Sequence, residues 1–105
     1  MVRPLRIEYP GAYYHVMNRG NRREDIFLTD KDRKVFLDGL VDSCEIYHIK
    51  LITYVLMANH FHLLVQTPQA NLSEFMRFFL VTYTMRFNRR NGLAGHVFLS
   101  EPEAR

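Results

Sequence analysis

Residues 51–66 of this chain, LITYVLMANHFHLLVQ, carry two histidines, His60 and His62, inside an apolar run rich in β-branched residues. A β-strand sends alternate side chains to opposite faces, so the two imidazoles share one face. Their Cα atoms then lie roughly 6.8 Å apart, from a rise of about 3.4 Å per residue. Phe61 and Leu63 point the other way, toward a core. The stretch therefore predicts a strand that is apolar on one side and carries two possible metal ligands on the other.

A pair of histidines in a strand has other interpretations, because each is also a common hydrogen-bonded core or surface residue. Asn59 precedes the pair at a predicted tight turn, and Gln66 shares the histidine face, which favours a functional site. No Cys or carboxylate stands at zinc-ligand spacing from the pair, which argues against a closed structural zinc site. Two histidines with open coordination positions fit catalysis better than scaffolding.

The periodicity of the whole chain predicts six elements in the order β-α-β-β-α-β. Strands are expected over residues 12–18, 50–57 and 60–66, with a short edge strand at 96–98, and helices over 30–47 and 71–90. Asp30 and Asn71 are the expected N-caps, and Asn91-Gly92 ends the second helix. This order is that of an α+β, ferredoxin-like split βαβ fold, with an antiparallel sheet and both helices on one face. The other face of this single domain, residues 1–105, is left free for His60 and His62.

Each predicted helix has an apolar stripe at helical spacing that we expect to be buried. Lys34, Asp38, Asp42 and Glu45 are expected on the solvent side of the first helix. The stripe of the first helix comprises Phe36, Leu37, Leu40, Val41, Cys44 and Tyr47, and that of the second Leu72, Phe75, Met76, Phe79, Leu80, Tyr83 and Phe87.

The net charge of +3 conceals a segregation of charge along the chain. Residues 24–45 carry seven acids against three bases, whereas residues 1–23 and 46–100 each carry five bases against one acid. Arg is the side chain best shaped for bidentate phosphate contact. A solvated surface with a chance charge split and a nucleic-acid face are both compatible with this pattern.

Two arginine clusters are candidates for binding a nucleic-acid backbone. Arg19, Arg22 and Arg23 lie on a predicted loop with Gly20 and Asn21, and Arg86, Arg89 and Arg90 close the second helix. Positive charge at a helix C-terminus also complements the helix dipole, which accounts for Arg89 and Arg90 without any ligand. That explanation does not cover the loop cluster.

Six tyrosines are possible nucleophiles for a phosphodiester, an attack that leaves a phosphotyrosine. They are Tyr9, Tyr13, Tyr14, Tyr47, Tyr54 and Tyr83. Tyr83 falls within the apolar stripe of its helix and is expected to be a core residue with its hydroxyl hydrogen-bonded at the margin. Tyr47 and Tyr54 are also expected to be packing residues.

Composition excludes several classes of protein. Apolar residues make up 48% of the chain, which excludes a disordered tail. The single Cys44 cannot form an internal disulfide, so nothing requires an oxidising compartment. The N-terminus has no apolar signal segment, and no apolar run is long enough to span a bilayer. We therefore expect a cytoplasmic protein with no membrane partner.

Three motifs in this chain resemble the REP-associated tyrosine transposases, a family of HUH single-strand transposases in which HUH means His-hydrophobic-His. They are YHVMNRGNRR at residues 14–23, MANHFHLLV at 57–65, and YTMRFNRR at 83–90 running into GHVF at 95–98. The resemblance implies a ferredoxin-like domain that binds single-stranded or hairpin DNA. It implies that His60 and His62 are catalytic residues holding a divalent metal, Mg or Mn. It also implies DNA transposition through a tyrosine that nicks DNA and forms a 5′-phosphotyrosine.

The chain departs from the family pattern after Phe98. Members of the family continue with a Gln-Gly-Arg-Tyr-Lys-like stretch and a helix with a Tyr-Ile-His-x-Asn-Pro-like motif, whose first tyrosine is the nucleophile. Here the sequence reads LSEPEAR at residues 99–105. By this comparison the C-terminal segment with the catalytic helix is missing, and we expect DNA and metal binding without autonomous nicking.

Two alternatives stay open at the level of sequence. One is a non-catalytic nucleic-acid-binding module whose sheet stacks bases, although the aromatic sheet motif of RNA-recognition folds is absent. The other is a degenerate transposase remnant or protein-interaction domain. Phe78 and Met85 lie off the buried stripe, where they can drive self-association, for example as a homodimer.

Overall fold

A computed structural model describes residues 8–98 and 103–104 of the chain. Its strands are β1 (Ala12–Arg19), β2 (Lys50–Met57), β3 (His60–Thr67) and β4 (Glu103–Ala104). Its helices are α1 (Asp30–Tyr47) and α2 (Leu72–Asn91). The predicted order of elements is confirmed, and the bounds of the long elements differ by one residue or less.

The four strands form one antiparallel sheet in the order β2-β3-β1-β4. β2 and β3 are consecutive and pair directly, while β1, which α1 joins to β2, lies on the other side of β3. This is the strand order of the ferredoxin-like split βαβ fold, so the predicted α+β class is confirmed.

Both helices cover the same face of the sheet. On β3, Phe61, Leu63 and Val65 are fully buried there, as their alternation predicted. The Phe61 ring lies 5.2 Å from that of Phe36 on α1 and 6.4 Å from that of Phe79 on α2, measured between centroids. Aromatic side chains of this size supply much of the apolar area that a small domain buries. The opposite face of the sheet carries His60 and His62.

The second helix matches its prediction closely. All seven residues of the predicted stripe on α2 are buried. Gly92 adopts a left-handed conformation with φ of 64° and ends the helix, as expected from Asn91-Gly92. Asn71 does occupy the N-cap position, but its side chain makes no cap hydrogen bond. Its Nδ2 donates instead to the carbonyl of Tyr47, so the predicted Asn71 side-chain cap is wrong.

The first helix begins differently from the prediction. Thr29, and not Asp30, is the N-cap, and it forms a capping box with Asp32. Val41 was expected in the buried stripe, but its side chain is 52% exposed. Tyr47 packs against Phe75 of α2.

The two edges of the sheet differ from the sequence-based predictions. Tyr54 is 45% exposed and is not a packing residue, because β2 is an edge strand whose outer side is open. Residues 96–98 do not form the edge strand; Phe98 makes an isolated bridge to Gly20, and β4 occupies the position beside β1. Val97 and Phe98 are nevertheless buried.

Within the described residues, no helix is both long and apolar enough to cross a bilayer.

Candidate functional site

The two histidines of β3 lie side by side on the open face of the sheet, as the sequence predicted. Burial alternates residue by residue along β3, with His60 and His62 on the partly exposed side. Their ring centroids are 5.2 Å apart and their planes are nearly perpendicular, at 82°. Both rings are therefore close enough to approach a common ligand.

The turn before β3 orients the first of these rings. Ala58 and Asn59 form the two-residue connection between β2 and β3, with Met57 opposite His60. The Oδ1 atom of Asn59 lies 2.8 Å from Nδ1 of His60. A carbonyl oxygen only accepts hydrogen bonds, so Nδ1 of His60 carries the proton and Nε2 carries a lone pair.

A third histidine, His15 of β1, joins the site. Its Nε2 lies 2.9 Å from Nδ1 of His62, and the two ring planes are parallel to within 1°. In the register, His62 lies opposite Met17, so His15 is its diagonal neighbour on the same face. His15 is not among the site residues predicted from the sequence. The alternation of β1, with Tyr14 and Val16 buried, was a sign that His15 points to the open face.

The environment of His62 favours its neutral form. Partial burial lowers the pKa of His62 below its ordinary value, and the nearby His15 and His60 lower it further. A neutral imidazole is the form that binds metal ions. Across the described part of the chain, no group of three or more His, Cys, Asp or Glu is arranged to hold a metal ion. Within the described residues, the two imidazoles of His60 and His62 therefore lie together without a complete set of protein ligands around them.

The loop arginines lie at the same end of the sheet. Arg19 is the direct partner of His60 in the β1–β3 register. The backbone N–H of Gly20 donates to the carbonyl of Asn59 at 2.9 Å, which joins this loop to the β2–β3 turn. Arg22 and Arg23 follow in a tight turn and are exposed. The structure thus brings the predicted loop cluster beside the histidine pair.

The backbone of this turn is unusual. Arg22 and Arg23 both have positive φ, of 56° and 60°, a conformation that is uncommon for residues other than glycine. A Cβ at Gly20 would lie 1.9 Å from the carbonyl oxygen of Glu24, so this close approach requires glycine. Such local strain is concentrated at functional sites in proteins.

The arginines of α2 are not brought to the histidines. Arg90 donates from Nε to the buried Asp32 at 3.2 Å. Arg86 lines a cavity of about 330 Å³ between the helices, together with Asp42 and Glu45. Arg89 is exposed in the last turn of α2. These three residues lie in the helical layer, on the side of the sheet opposite His60 and His62.

All six tyrosines fall within the described residues, and in the sheet register none is the direct cross-strand partner of His60 or His62. Tyr83 is 2% exposed and its hydroxyl donates to the carbonyl of Ile26, which confirms its predicted core role. Burial, and secondarily Asp32, raises the pKa of Tyr83 far above its ordinary value. Tyr13 lies on the histidine face but opposite Gln66, roughly 13 Å along β3 from His62 at about 3.3 Å per residue.

Comparisons with known proteins agree with this fold. A family model described as "Transposase IS200 like" matches residues 8–98. A comparison with curated protein sequences gives no significant match.

Two solved structures share the fold. One is a REP-associated tyrosine transposase bound to a REP hairpin, with a TM-score of 0.81 and 16% identity. It aligns with 100% of this chain, which spans only 61% of that protein. The other is a candidate transposase from Deinococcus radiodurans R1, with a TM-score of 0.73, 18% identity, and coverage of 99% of this chain and 85% of that one.

Proposed function

Because the chain belongs to the IS200-like transposase family, we propose that it acts in DNA transposition by binding single-stranded or hairpin DNA. DNA would lie on the open face of the sheet, together with a divalent metal ion at His60 and His62. The observation that carries the proposal is the pairing of Arg19 with His60, which places a phosphate-binding cation beside two possible metal ligands.

The residues fit a divalent ion of the kind that the family resemblance implies, Mg or Mn. Nδ1 of His60 and Nδ1 of His62 each have a hydrogen-bond partner in the protein. Metal-binding histidines usually engage their second nitrogen in this way. When bound, such an ion would supply Lewis-acid stabilisation to a phosphoryl oxygen, and His60 and His62 would be the residues that hold it.

The loop arginines supply the charge that a DNA backbone needs. Arg19, Arg22 and Arg23 lie on and just after the end of β1 that faces His60. Asn59 holds His60 and joins the two loops, so we assign it to positioning in addition to any DNA contact. The hairpin bound by the REP-associated relative supports hairpin DNA as the ligand class. Arg86 and Arg89, which lie in the helical layer, would contact the DNA backbone at a place separate from the loop arginines.

The proposal includes no nicking by the tyrosines of this chain. Tyr14 and Tyr83 are buried, and the exposed Tyr13 is distant from His62 along the strand. His60 and His62 would thus supply the metal-binding part of a catalytic site, with DNA cleavage depending on a nucleophile from elsewhere. A DNA-binding role also fits the cytoplasmic location expected from the sequence.

The test combines DNA binding with a search for a covalent adduct. End-labelled hairpin DNA is incubated with the protein and Mn²⁺, with and without a chelator, and products are separated under native and denaturing conditions. We expect a native complex that weakens on chelation and with the His60→Ala/His62→Ala double variant, and no adduct. His48→Asn is the control, because His48 is exposed at the end of α1 and its left-handed backbone accepts Asn.

Failure of the wild-type protein to bind DNA would refute the proposal, and a covalent adduct would refute the absence of nicking.

The second candidate is a metal-independent nucleic-acid-binding module. It is favoured by the finding that, within the described residues, no three His, Cys, Asp or Glu side chains are arranged to hold one ion. Binding that resists both the chelator and the double variant would select it.

A further inference from the structure

The contact between His15 and His62 permits only two arrangements of protons. Nε2 of His15 and Nδ1 of His62 are 2.9 Å apart, so one must donate and the other accept. If His15 donates, the single proton of neutral His62 is on Nε2, and this nitrogen has no lone pair for a cation. If His62 donates from Nδ1, its Nε2 keeps a lone pair.

The neighbouring histidine indicates which arrangement the site uses. Asn59 accepts from Nδ1 of His60, which leaves the lone pair of His60 on Nε2. Among the described residues, Nε2 of His60 and Nε2 of His62 form no hydrogen bond. The two rings present two lone pairs to the open face only if His62 has the same tautomer as His60.

We propose that His15 is a positioning residue, which accepts a hydrogen bond from His62 and so holds His62 in the tautomer that binds a metal ion through Nε2. The inference rests on the proposed function, in which His62 is a metal ligand. It gives His15 a role distinct from coordination, since its own Nε2 is directed at His62 and not at the face that an ion would occupy.

The backbone around His15 fixes this contact. Tyr14 and Val16, which flank it on β1, are buried in the core beneath the sheet. In the register they lie opposite Val65 and Leu63 of β3, which are also buried. A slip of one residue between the strands would turn the core side chains of the slipped strand to the open face, so the diagonal placement of His15 is firmly held.

The first test measures the tautomer directly in the wild-type protein without metal. Long-range ¹H–¹⁵N correlation spectra are recorded at about pH 8, above the ordinary histidine pKa of about 6.5. We expect His62 to carry its proton on Nδ1. A proton on Nε2 of His62 would overturn the proposal.

The second test measures metal affinity by titration calorimetry with Mn²⁺. His15→Phe keeps a flat ring but no hydrogen bond, and we expect it to weaken Mn²⁺ binding about 10–100-fold, the usual effect of losing such a partner. His15→Gln places an accepting Oε1 near the position of Nε2 and should restore most of the affinity. His48→Asn, which removes an imidazole remote from the site, should bind Mn²⁺ like the wild type.

The outcomes separate this inference from the proposed function. His15→Phe with wild-type affinity, or His15→Gln as weak as His15→Phe, would overturn the positioning role. A wild-type protein that binds no Mn²⁺ would refute the proposed metal site, and the tautomer of His62 would still decide whether His15 accepts its proton. Because His15 is exposed, both variants should keep the melting temperature of the wild type.

Discussion

Arg90, in the last turn of α2, donates from Nε to Oδ1 of Asp32, in the first turn of α1, at 3.2 Å. The side chain of Asp32 is only 1% exposed. Its Oδ2 accepts from the backbone N–H groups of Leu28 and Thr29, and Asn91 donates to its Oδ1. One buried carboxylate therefore joins the start of the first helix to the end of the second.

Replacing this carboxylate should destabilise the fold. We expect Asp32→Ala to lower the free energy of unfolding by about 2–3 kcal/mol, because it leaves backbone donors without an acceptor and Arg90 without a partner. Urea denaturation followed by circular dichroism measures the change. Asp30→Ala is the control, since Asp30 is fully exposed and, among the described residues, forms its ion pair with Arg33 at 3.5 Å. Equal losses in the two variants would contradict the structural role of Asp32.

The arginine turn should determine the salt dependence of DNA binding. The double variant Arg22→Asn/Arg23→Asn removes two positive charges and introduces asparagine, a residue that tolerates the positive φ of these two positions. Counterion release predicts that the slope of log affinity against log salt falls by roughly 1.4, from about 0.7 per phosphate contact to single strands. Fluorescence anisotropy with single-stranded DNA measures both slopes. Lys31→Gln/Lys34→Gln, which removes two exposed charges from α1, should leave the slope unchanged.

The same turn should be sensitive to a single methyl group at its start. In Gly20→Ala the new Cβ would clash with the carbonyl oxygen of Glu24, so the backbone would have to move. We expect a loss of about 1–3 kcal/mol of stability together with weaker DNA binding. Gly39→Ala is the matched control, because its Cβ would lie 3.5 Å from a flexible Arg86 nitrogen. Because Gly39 lies inside α1, Gly39→Ala should leave the free energy of unfolding unchanged or raise it by up to about 1 kcal/mol. Similar melting temperatures for the two variants would contradict this account.

Cys44 should be an unreactive thiol in the folded protein. Burial raises the pKa of Cys44 from 9.0 to about 11, so the nucleophilic thiolate is scarce at neutral pH. Because the folded pKa lies above the unfolded one, this group adds stability below about pH 9 that is lost as the pH rises toward 11. Alkylation by iodoacetamide should be slow in buffer and fast in urea. Equal rates in the two conditions would show that the thiol is accessible.

The exposed apolar residues of α2 should determine whether the protein self-associates. Phe78, Val81 and Met85 are all exposed on the helical layer. If they form a homodimer contact, Phe78→Ser/Met85→Ser should shift the sedimentation mass toward the monomer, because the variant removes apolar area from the contact. A wild-type mass that stays monomeric at every concentration would rule out the homodimer.

Local patterns predicted most of the fold because their physical causes are local. The stripe of α2 follows from the helical period, and its end follows from the left-handed conformation of Gly92. The errors arose where tertiary contacts compete with local preference. Asn71 has the spacing of a cap, but its amide binds Tyr47 across the helix pair. Val41 has the spacing of a core residue, but it lies at the edge of the layer and stays exposed.

The sequence by itself determined that His60 and His62 share a face, because alternation along one strand is a property of the backbone. It also grouped three arginines at the end of β1, although Arg19 proved to be the last residue of that strand and only Arg22 and Arg23 lie in the turn after it. Only the tertiary structure decided that His15 contacts His62, because the two are 47 residues apart and meet through the register of β1 on β3. Alternation marks the core face of each strand, but the pairing of β1 with β3 joins segments distant in sequence, and burial of both core faces together sets its register.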